Sequence, residues 1–248
     1  MDSQQRIQDS QYSFPYHYIP SYSPDISLVK YWSFGINYLA TIKLLTSKIK
    51  GLPIKSILDV GAGEGRLVVE LSKQFPELKV AGIDYSERAI GLAQALNPGI
   101  NMKVLNILEE DIKETYDCYT LIEVFEHIPV AEATRFATRL GVSIPSGSFL
   151  IITVPHRNIK VSQKHAQHFS RESLLGYYEE NFSQVEVMFL HKKVNSLRRV
   201  FNKLLANRYF ILNHKGLTKR MFDYFFKSFF IVQSENQCER ILMILKKK

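Results

Sequence analysis

Ile57-Leu58-Asp59-Val60-Gly61-Ala62-Gly63-Glu64-Gly65 decides how the chain is read. A short apolar run ends in alternating glycines, as a buried parallel strand does where it turns into a helix. Glycines at such a turn let the backbone reverse tightly and let a ligand approach without side chains in the way. The spacing is G-x-G-x-G, because Arg66 stands where the dinucleotide pattern has its third glycine. The turn also carries acids, Asp59 and Glu64. They would repel a pyrophosphate and favour a cationic ligand bearing a sulfonium and an ammonium.

Outward from this turn, strands and helices alternate. Strands are expected at 56–60, 79–84, 102–105, 116–124, 148–154, 184–190 and 240–245. Helices are expected at 26–50, 65–74, 86–96, 130–140, 170–181, 194–207 and 216–229. Ser86 is read as an N-cap, and Ser170 with Glu172 as a helix start. Leu28, Trp32, Ile36, Leu39, Ile42 and Leu45 fall at helical steps. Such alternation predicts an α/β fold with a parallel sheet and right-handed crossovers, followed by a helical cap.

Length and composition set the class. The chain has 248 residues, 46% apolar and 23% charged, so it can bury a full core and is not a disordered chain. No apolar run approaches the roughly 20 residues needed to span a bilayer. The polar start, Met1-Asp2-Ser3-Gln4-Gln5, lacks the apolar region of a signal peptide. The two cysteines, Cys118 and Cys238, sit in apolar runs and read as core. The localisation expected from these features is cytoplasmic. Net charge is +8, and 191–235 carries all of it, with ten Lys and Arg against two acids.

Three segments in order resemble the class I S-adenosylmethionine-dependent methyltransferases. They are Ile57 to Gly65, then Gly82-Ile83-Asp84-Tyr85-Ser86, then Glu123-Val124-Phe125-Glu126-His127-Ile128-Pro129. The resemblance covers about 54–190. It implies S-adenosylmethionine as cofactor and a Rossmann-like, seven-stranded, mostly parallel sheet with helices on both faces and its last strand antiparallel to the rest. It places Asp59, Gly61, Ala62 and Gly63 around the methionine part of the donor, and Asp84 on the ribose hydroxyls. Tyr85 would cover an adenine face. Asn106 and Ile107 would read the adenine edge, where the family more often has Asp. Glu123 would stand beside the methionine moiety.

Methyl transfer is an in-line displacement whose leaving group is a neutral thioether. The protein must therefore align the acceptor and remove its proton. His127, with Glu126, follows the fourth strand at the sheet edge where ligands bind, and suits a general base. The pair can equally shape its loop. His165-Ala166-Gln167-His168 precedes a helix, and His168 reads either as a third catalytic group or as a packing residue. Glu123-x-x-Glu126-His127 also resembles the metal-binding run of small-RNA 3′-terminal ribose 2′-O-methyltransferases. His156, His165 or His168 would then complete the ligands, and oxygen and imidazole would suit Mg²⁺ or Mn²⁺. The leading expectation assigns no metal.

The flanks would choose the acceptor. Residues 1–50 read as an aromatic arm and helix. Tyr12, Phe14, Tyr16, His17 and Tyr18 either close over the site as a lid or pack on the core. Residues 51–190 would be the donor-binding core, 191–235 a basic helical cap and 236–248 the final core strand. The cap reads as buried against the core, as a basic wall for an anionic acceptor, or as a peripheral membrane contact. The expected partner is a small-molecule or saccharide acceptor, contacted also by His156 and His165. Attached nucleic-acid modules are not recognised. A non-catalytic binding protein on the same fold is the reading of another class.

Overall fold

Strands send alternate side chains to opposite faces of a sheet, and here both faces are covered. The computed structural model describes residues 6, 7, 9, 10, 12, 32–192 and 214–248. Its strands are β1 Ser56–Val60, β2 Lys79–Asp84, β3 Met102–Val104, β4 Cys118–Ile122, β5 Phe149–Pro155, β6 Phe182–Lys192, β7 Ile231–Val232 and β8 Cys238–Lys247. Its helices are α1 Trp32–Ile49, α2 Arg66–Gln74, α3 Glu87–Leu96, α4 Val130–Ser143, α5 Arg171–Gly176 and α6 Lys215–Phe225. The sheet runs in the order β3-β2-β1-β4-β5-β8-β6-β7. The first five strands are parallel to one another. β8 lies antiparallel between β5 and β6.

The alternation is visible in the core. Ile57, Cys118, Ile151, Leu242 and Ile244 pack on one face with Leu39 and Leu45 of α1, Leu67 and Leu71 of α2 and Ile90 of α3. Their sequence neighbours Leu58, Tyr119, Leu150, Ile152, Ile241 and Met243 pack on the other face with Phe136 and Leu140 of α4. Because both faces are buried, these strands are continuous apolar runs instead of alternating ones. Both cysteines are free and buried, as their apolar settings imply.

The sheet has eight strands, one more than the sequence rhythm implies. β7 is two residues long and pairs antiparallel with Phe189 and Leu190 of β6. A two-residue strand has no periodicity to read. The helix expected at 216–229 stops at Phe225, and Phe226–Phe230 forms a π-turn leading into β7. α5 is shorter than expected and is capped reciprocally by Ser170 and Ser173, without Glu172. Ser86 caps α3 by accepting from Ala89 N. The helix expected at 194–207 lies outside the described residues. In the described part of the cap, Phe222, Phe225 and Phe230 are buried in the core. Lys43 of α1 holds α6 through Asp223 at 3.3 Å and lies over the Phe222 and Phe226 rings. No helix among the described residues is long and apolar enough to cross a membrane.

Gly65, which opens α2, sits at φ +77°, and a Cβ there would lie 2.6 Å from Met102 Sδ and 2.9 Å from Ile100 Cδ1. Gly65→Ala combines left-handed strain with overpacking, about 2–4 kcal/mol together. Thermal unfolding should show it as a drop in Tm of roughly 5–15 °C.

Candidate active site

Between β1 and β4 the strand order reverses, so the loops at the carboxyl edge diverge and leave a crevice. Asp59, Gly61, Ala62, Gly63, Asp84, Tyr85, Asn106, Ile107, Glu123, Glu126, His127 and His165 all line this one cleft. Tyr12 joins them from the arm. Phe14, Tyr16, His17 and Tyr18 lie outside the described residues.

The glycine turn forms one end. Gly61 N and Ala62 N both donate to Ile83 O, which ties the turn across to β2. Gly61 has φ +75°, and a Cβ there would fall 2.5 Å from Val124 Cγ2. Asp84 is buried, and its two oxygens accept Gly63 N at 2.8 Å and Ser86 N at 2.9 Å. These amides fix the carboxylate against the turn. Burial nevertheless raises its pKa to about 6, the two amides opposing the rise. Asp59 is also buried and accepts Thr120 Oγ1 at 2.7 Å. Burial raises its pKa to about 7, the Thr120 bond opposes, and Asp84 adds a smaller push upward. Two buried acids thus meet at the turn, both held above the usual carboxylate range. The Ser86 hydroxyl donates to Asp9, and Arg88 pairs with Asp9 at 3.6 Å, so the described part of the arm lies on the entrance to α3. Asn106 Oδ1 accepts Leu108 N at 3.1 Å, which leaves its amide hydrogens as the donor toward the cleft.

The other end is a cluster of acids and imidazoles. Glu123 follows β4 with φ +56°, a conformation non-glycine residues adopt rarely and often at functional sites. Its Oε2 accepts Arg240 Nε at 2.7 Å. Glu126 is 1% exposed, and its Oε1 stands 3.9 Å from His127 Nε2. Burial, then the neighbouring Glu123 charge, raises the Glu126 pKa well above the carboxylate range.

The imidazole tautomers follow from their partners. His127 Nδ1 is 2.9 Å from Lys164 O. A carbonyl only accepts, so Nδ1 carries the hydrogen and Nε2 of the neutral ring holds a lone pair. His168 Nδ1 faces Ile159 O at 3.1 Å and is protonated for the same reason. Its Nε2 therefore accepts from His165 Nδ1 at 2.7 Å, which leaves His165 Nε2 as a lone pair. The His127 and His165 rings meet edge to face, 4.9 Å between centroids. Burial lowers the His127 pKa, and burial followed by repulsion from His127 and His168 lowers that of His165 to about 3. Both rings are neutral near pH 7.

A methyltransferase-domain family matches residues 57–142, the stretch holding the glycine turn, Asp84, Glu123 and His127. Residues 57–142 thus match a methyltransferase domain, and the fold around them is the Rossmann-like methyltransferase fold. The chain is 31% identical over 112 residues to a ubiquinone biosynthesis O-methyltransferase of Paraburkholderia xenovorans, covering 43% of this chain and 47% of that one. The chain thus spans about half the length of the curated relatives it matches. The fold is shared with N-methyltransferase NodS of Bradyrhizobium japonicum, solved with S-adenosyl-L-homocysteine. There the TM-score is 0.61 at 14% identity, over 99% of both chains. It is shared too with the methyltransferase domain of bacterial CtHen1-C, TM-score 0.57 at 16% identity, covering 85% of this chain and 98% of that one. Methyltransferases of such different names share one scaffold, so the scaffold does not choose the acceptor.

The structure does not bring His156 or His168 to the cleft. His156 is 2% exposed. Its Nδ1 accepts Asn158 N and its Nε2 donates to Glu235 Oε1, both at 3.0 Å. Glu235 also accepts Arg171 N, so His156 fastens the end of β5 to the turn before β8 and the start of α5. His168 stands behind His165. Three contributors escape sequence reading. Thr120 binds Asp59 from the adjacent strand. Lys164 supplies the carbonyl that sets the His127 tautomer. Arg240 lies 117 positions from the Glu123 it pairs with. Its one sequence signal is a cation opening the otherwise apolar run Ile241-Leu242-Met243-Ile244-Leu245.

The raised pKa of Asp59 has a consequence for stability. An unfolded chain releases that proton near pH 3.8 and the folded one near pH 7. The folded state is therefore favoured by holding the proton below pH 3.8, and that advantage is lost as pH rises through 7. Above pH 7 the buried charge costs up to about 4 kcal/mol. Asp59→Asn keeps the Thr120 bond and removes the charge. Chemical denaturation should find the variant no more stable than wild type at pH 4 and more stable by about 2–4 kcal/mol at pH 8.

Proposed function

We propose that the chain transfers a methyl group from S-adenosylmethionine to an oxygen or nitrogen of a small molecule or saccharide, with His127 removing the acceptor's proton. The observation that carries this reading is one cleft with two ends. Buried carboxylates on a glycine turn form one, and neutral imidazoles with lone pairs toward the cleft form the other.

The donor fits the first end. Asp59 and Asp84 are buried acids held at raised pKa, so a ligand bearing a sulfonium and an ammonium gives them the positive charge the burial lacks. Each Asp84 oxygen has a lone pair left after its amide bond, enough for the two ribose hydroxyls. At Gly61 any Cβ would meet Val124, so only glycine keeps the turn open to a close approach. Bound there, S-adenosylmethionine supplies an electrophilic methyl whose departure leaves a neutral thioether. Tyr85, Asn106 and Ile107 line the adenine side in this reading, and Glu123 the methionine side. Lys164 O holds the His127 ring so that Nε2 faces the acceptor.

The relatives named for ubiquinone biosynthesis favour a small acceptor methylated on oxygen. Tailoring of a polysaccharide or secondary metabolite in the cytoplasm fits this cleft. The arm, 1–50, is then the lid and donor wall, 51–190 the core, 191–235 the cap and 236–248 the closing strand. Tyr12 against Gly63 supports the arm's part in this division. The aromatic seating of α6 supports the cap as packed structure, with its basic residues as the peripheral membrane contact. Calorimetric titration with S-adenosylhomocysteine tests the donor end. One site per chain is expected, and absence of binding would contradict the reading.

A further inference from the structure

We propose that Arg240 determines which acceptor enters the cleft, its guanidinium receiving an oxyanion group, a carboxylate or a phosphate, carried by that acceptor. The inference rests on the methyl-transfer reading and names the acceptor's chemical class within it. Arg240 precedes the apolar run Ile241 to Leu245 of β8 and pairs in register with Pro155, the last residue of β5. Because β8 runs antiparallel to β5, its first residues stand at the carboxyl edge of the parallel strands, where the cleft opens. A guanidinium on an apolar strand is costly unless its hydrogens find partners. It carries five N–H groups. Nε donates to Glu123 Oε2 at 2.7 Å, and Nη1 lies 3.4 Å from His191 Nδ1. Those two contacts leave three hydrogens, both of Nη2 and one of Nη1, without a partner among the described residues. The side chain is 27% exposed and lines the cleft, so this unused part of the fork is within reach of a ligand.

The charge around Arg240 agrees with an anion. Among the described residues, the acids lining the cleft are Asp59, Asp84, Glu123 and Glu126, and the cations are Lys164 and Arg240. Asp59 and Asp84 belong to the glycine turn. Glu126 keeps its proton near pH 7, because burial and then the Glu123 charge raise its pKa well above the carboxylate range. Around the imidazoles this leaves Arg240 and Lys164 against Glu123, one positive charge in excess. Both cations stand close enough to His165 to depress its pKa, after burial and the neighbouring imidazoles. The donor is a net cation and is drawn to the buried acids, so the two substrates are sorted by charge. A planar guanidinium matches two oxygens on one carbon or phosphorus, which fixes the acceptor's orientation as well as its charge. A clamp that only held Glu123 would need the Nε bond alone.

The small-molecule fraction of a host-cell extract is the probe. Full-length protein methylates it with S-adenosylmethionine labelled in the methyl. The products pass over an anion exchanger at about pH 7, where unreacted donor runs through. Labelled product should be retained. A wash at about pH 2 then releases a carboxylate, which is protonated there, and leaves a phosphate bound, since it still carries a charge. Either behaviour supports the inference and identifies the oxyanion. Arg240→Lys keeps a cation beside Glu123 and loses the fork. The extract needed for half-maximal transfer should rise about 10–100-fold, the worth of one charged hydrogen bond. The saturating rate and the affinity for S-adenosylhomocysteine should each stay within about threefold. Arg240→Gln, checked for folding by circular dichroism, should raise the extract requirement by at least about a hundredfold, because two such bonds are lost. Labelled product that is neutral or cationic would overturn the inference and leave methyl transfer standing. So would a folded Arg240→Lys protein that needs no more extract than wild type, or that loses donor affinity alone, as a clamp on Glu123 would. No labelled product from a protein that binds S-adenosylhomocysteine would remove methyl transfer itself, and the inference with it.

Discussion

Asp84→Ala should weaken binding of S-adenosylmethionine and S-adenosylhomocysteine by about 10²–10³-fold. The carboxylate ends β2 at the cleft, with one lone pair on each oxygen beyond those used by Gly63 N and Ser86 N. Two hydrogen bonds from ribose hydroxyls to a carboxylate are worth about 1.5–3 kcal/mol each. Losing both gives the stated factor, since each 1.4 kcal/mol is tenfold. The alanine variant also leaves two buried amides unpaired, so its fold must be checked by thermal unfolding. Asp84→Asn retains an acceptor for one amide and serves as the milder variant. Calorimetry reads both. Affinity within threefold of wild type in a folded Asp84→Ala protein would remove the ribose assignment.

His127→Ala should lower methyl transfer by about 10²–10⁴-fold, the range for loss of a positioned proton acceptor. Affinity for S-adenosylhomocysteine should stay within threefold, because the His127 ring bonds Lys164 O and not the glycine turn, Asp59 or Asp84. The split between turnover and donor affinity separates chemistry from structure. A His127 that only shaped its loop would move both or neither. Steady-state transfer and calorimetry on one preparation decide it.

The parts of this site legible in the sequence are those built within a few positions of each other. The glycine turn, Asp84 at the end of β2 and Glu123 to His127 after β4 are local signals. The strand-helix rhythm puts them on one edge of the sheet, and they meet there. Ser86 likewise caps α3 through a bond three residues away. Contacts across the fold leave no such trace. The Arg240–Glu123 pair and the Thr120–Asp59 bond arise from strand order and register, which periodicity does not encode. The three histidines 156, 165 and 168 look alike in sequence. Their fates diverge because Glu235 fastens His156 away from the cleft and His168 spends its Nε2 on His165. β7 was hidden by its length, and the reciprocal Ser170–Ser173 cap by a neighbouring glutamate that looked the better partner.

The most direct test follows the methyl group itself. S-adenosylmethionine labelled in its methyl is incubated with host-cell extract and wild-type or His127→Ala protein, with and without EDTA. Label is then counted in the small polar, lipid, protein and RNA fractions. Methyl transfer to a small-molecule or saccharide acceptor predicts label in the small polar or lipid-linked fraction with wild type, lost with His127→Ala. Label confined to RNA, or no transfer by a protein that binds S-adenosylhomocysteine, would contradict it.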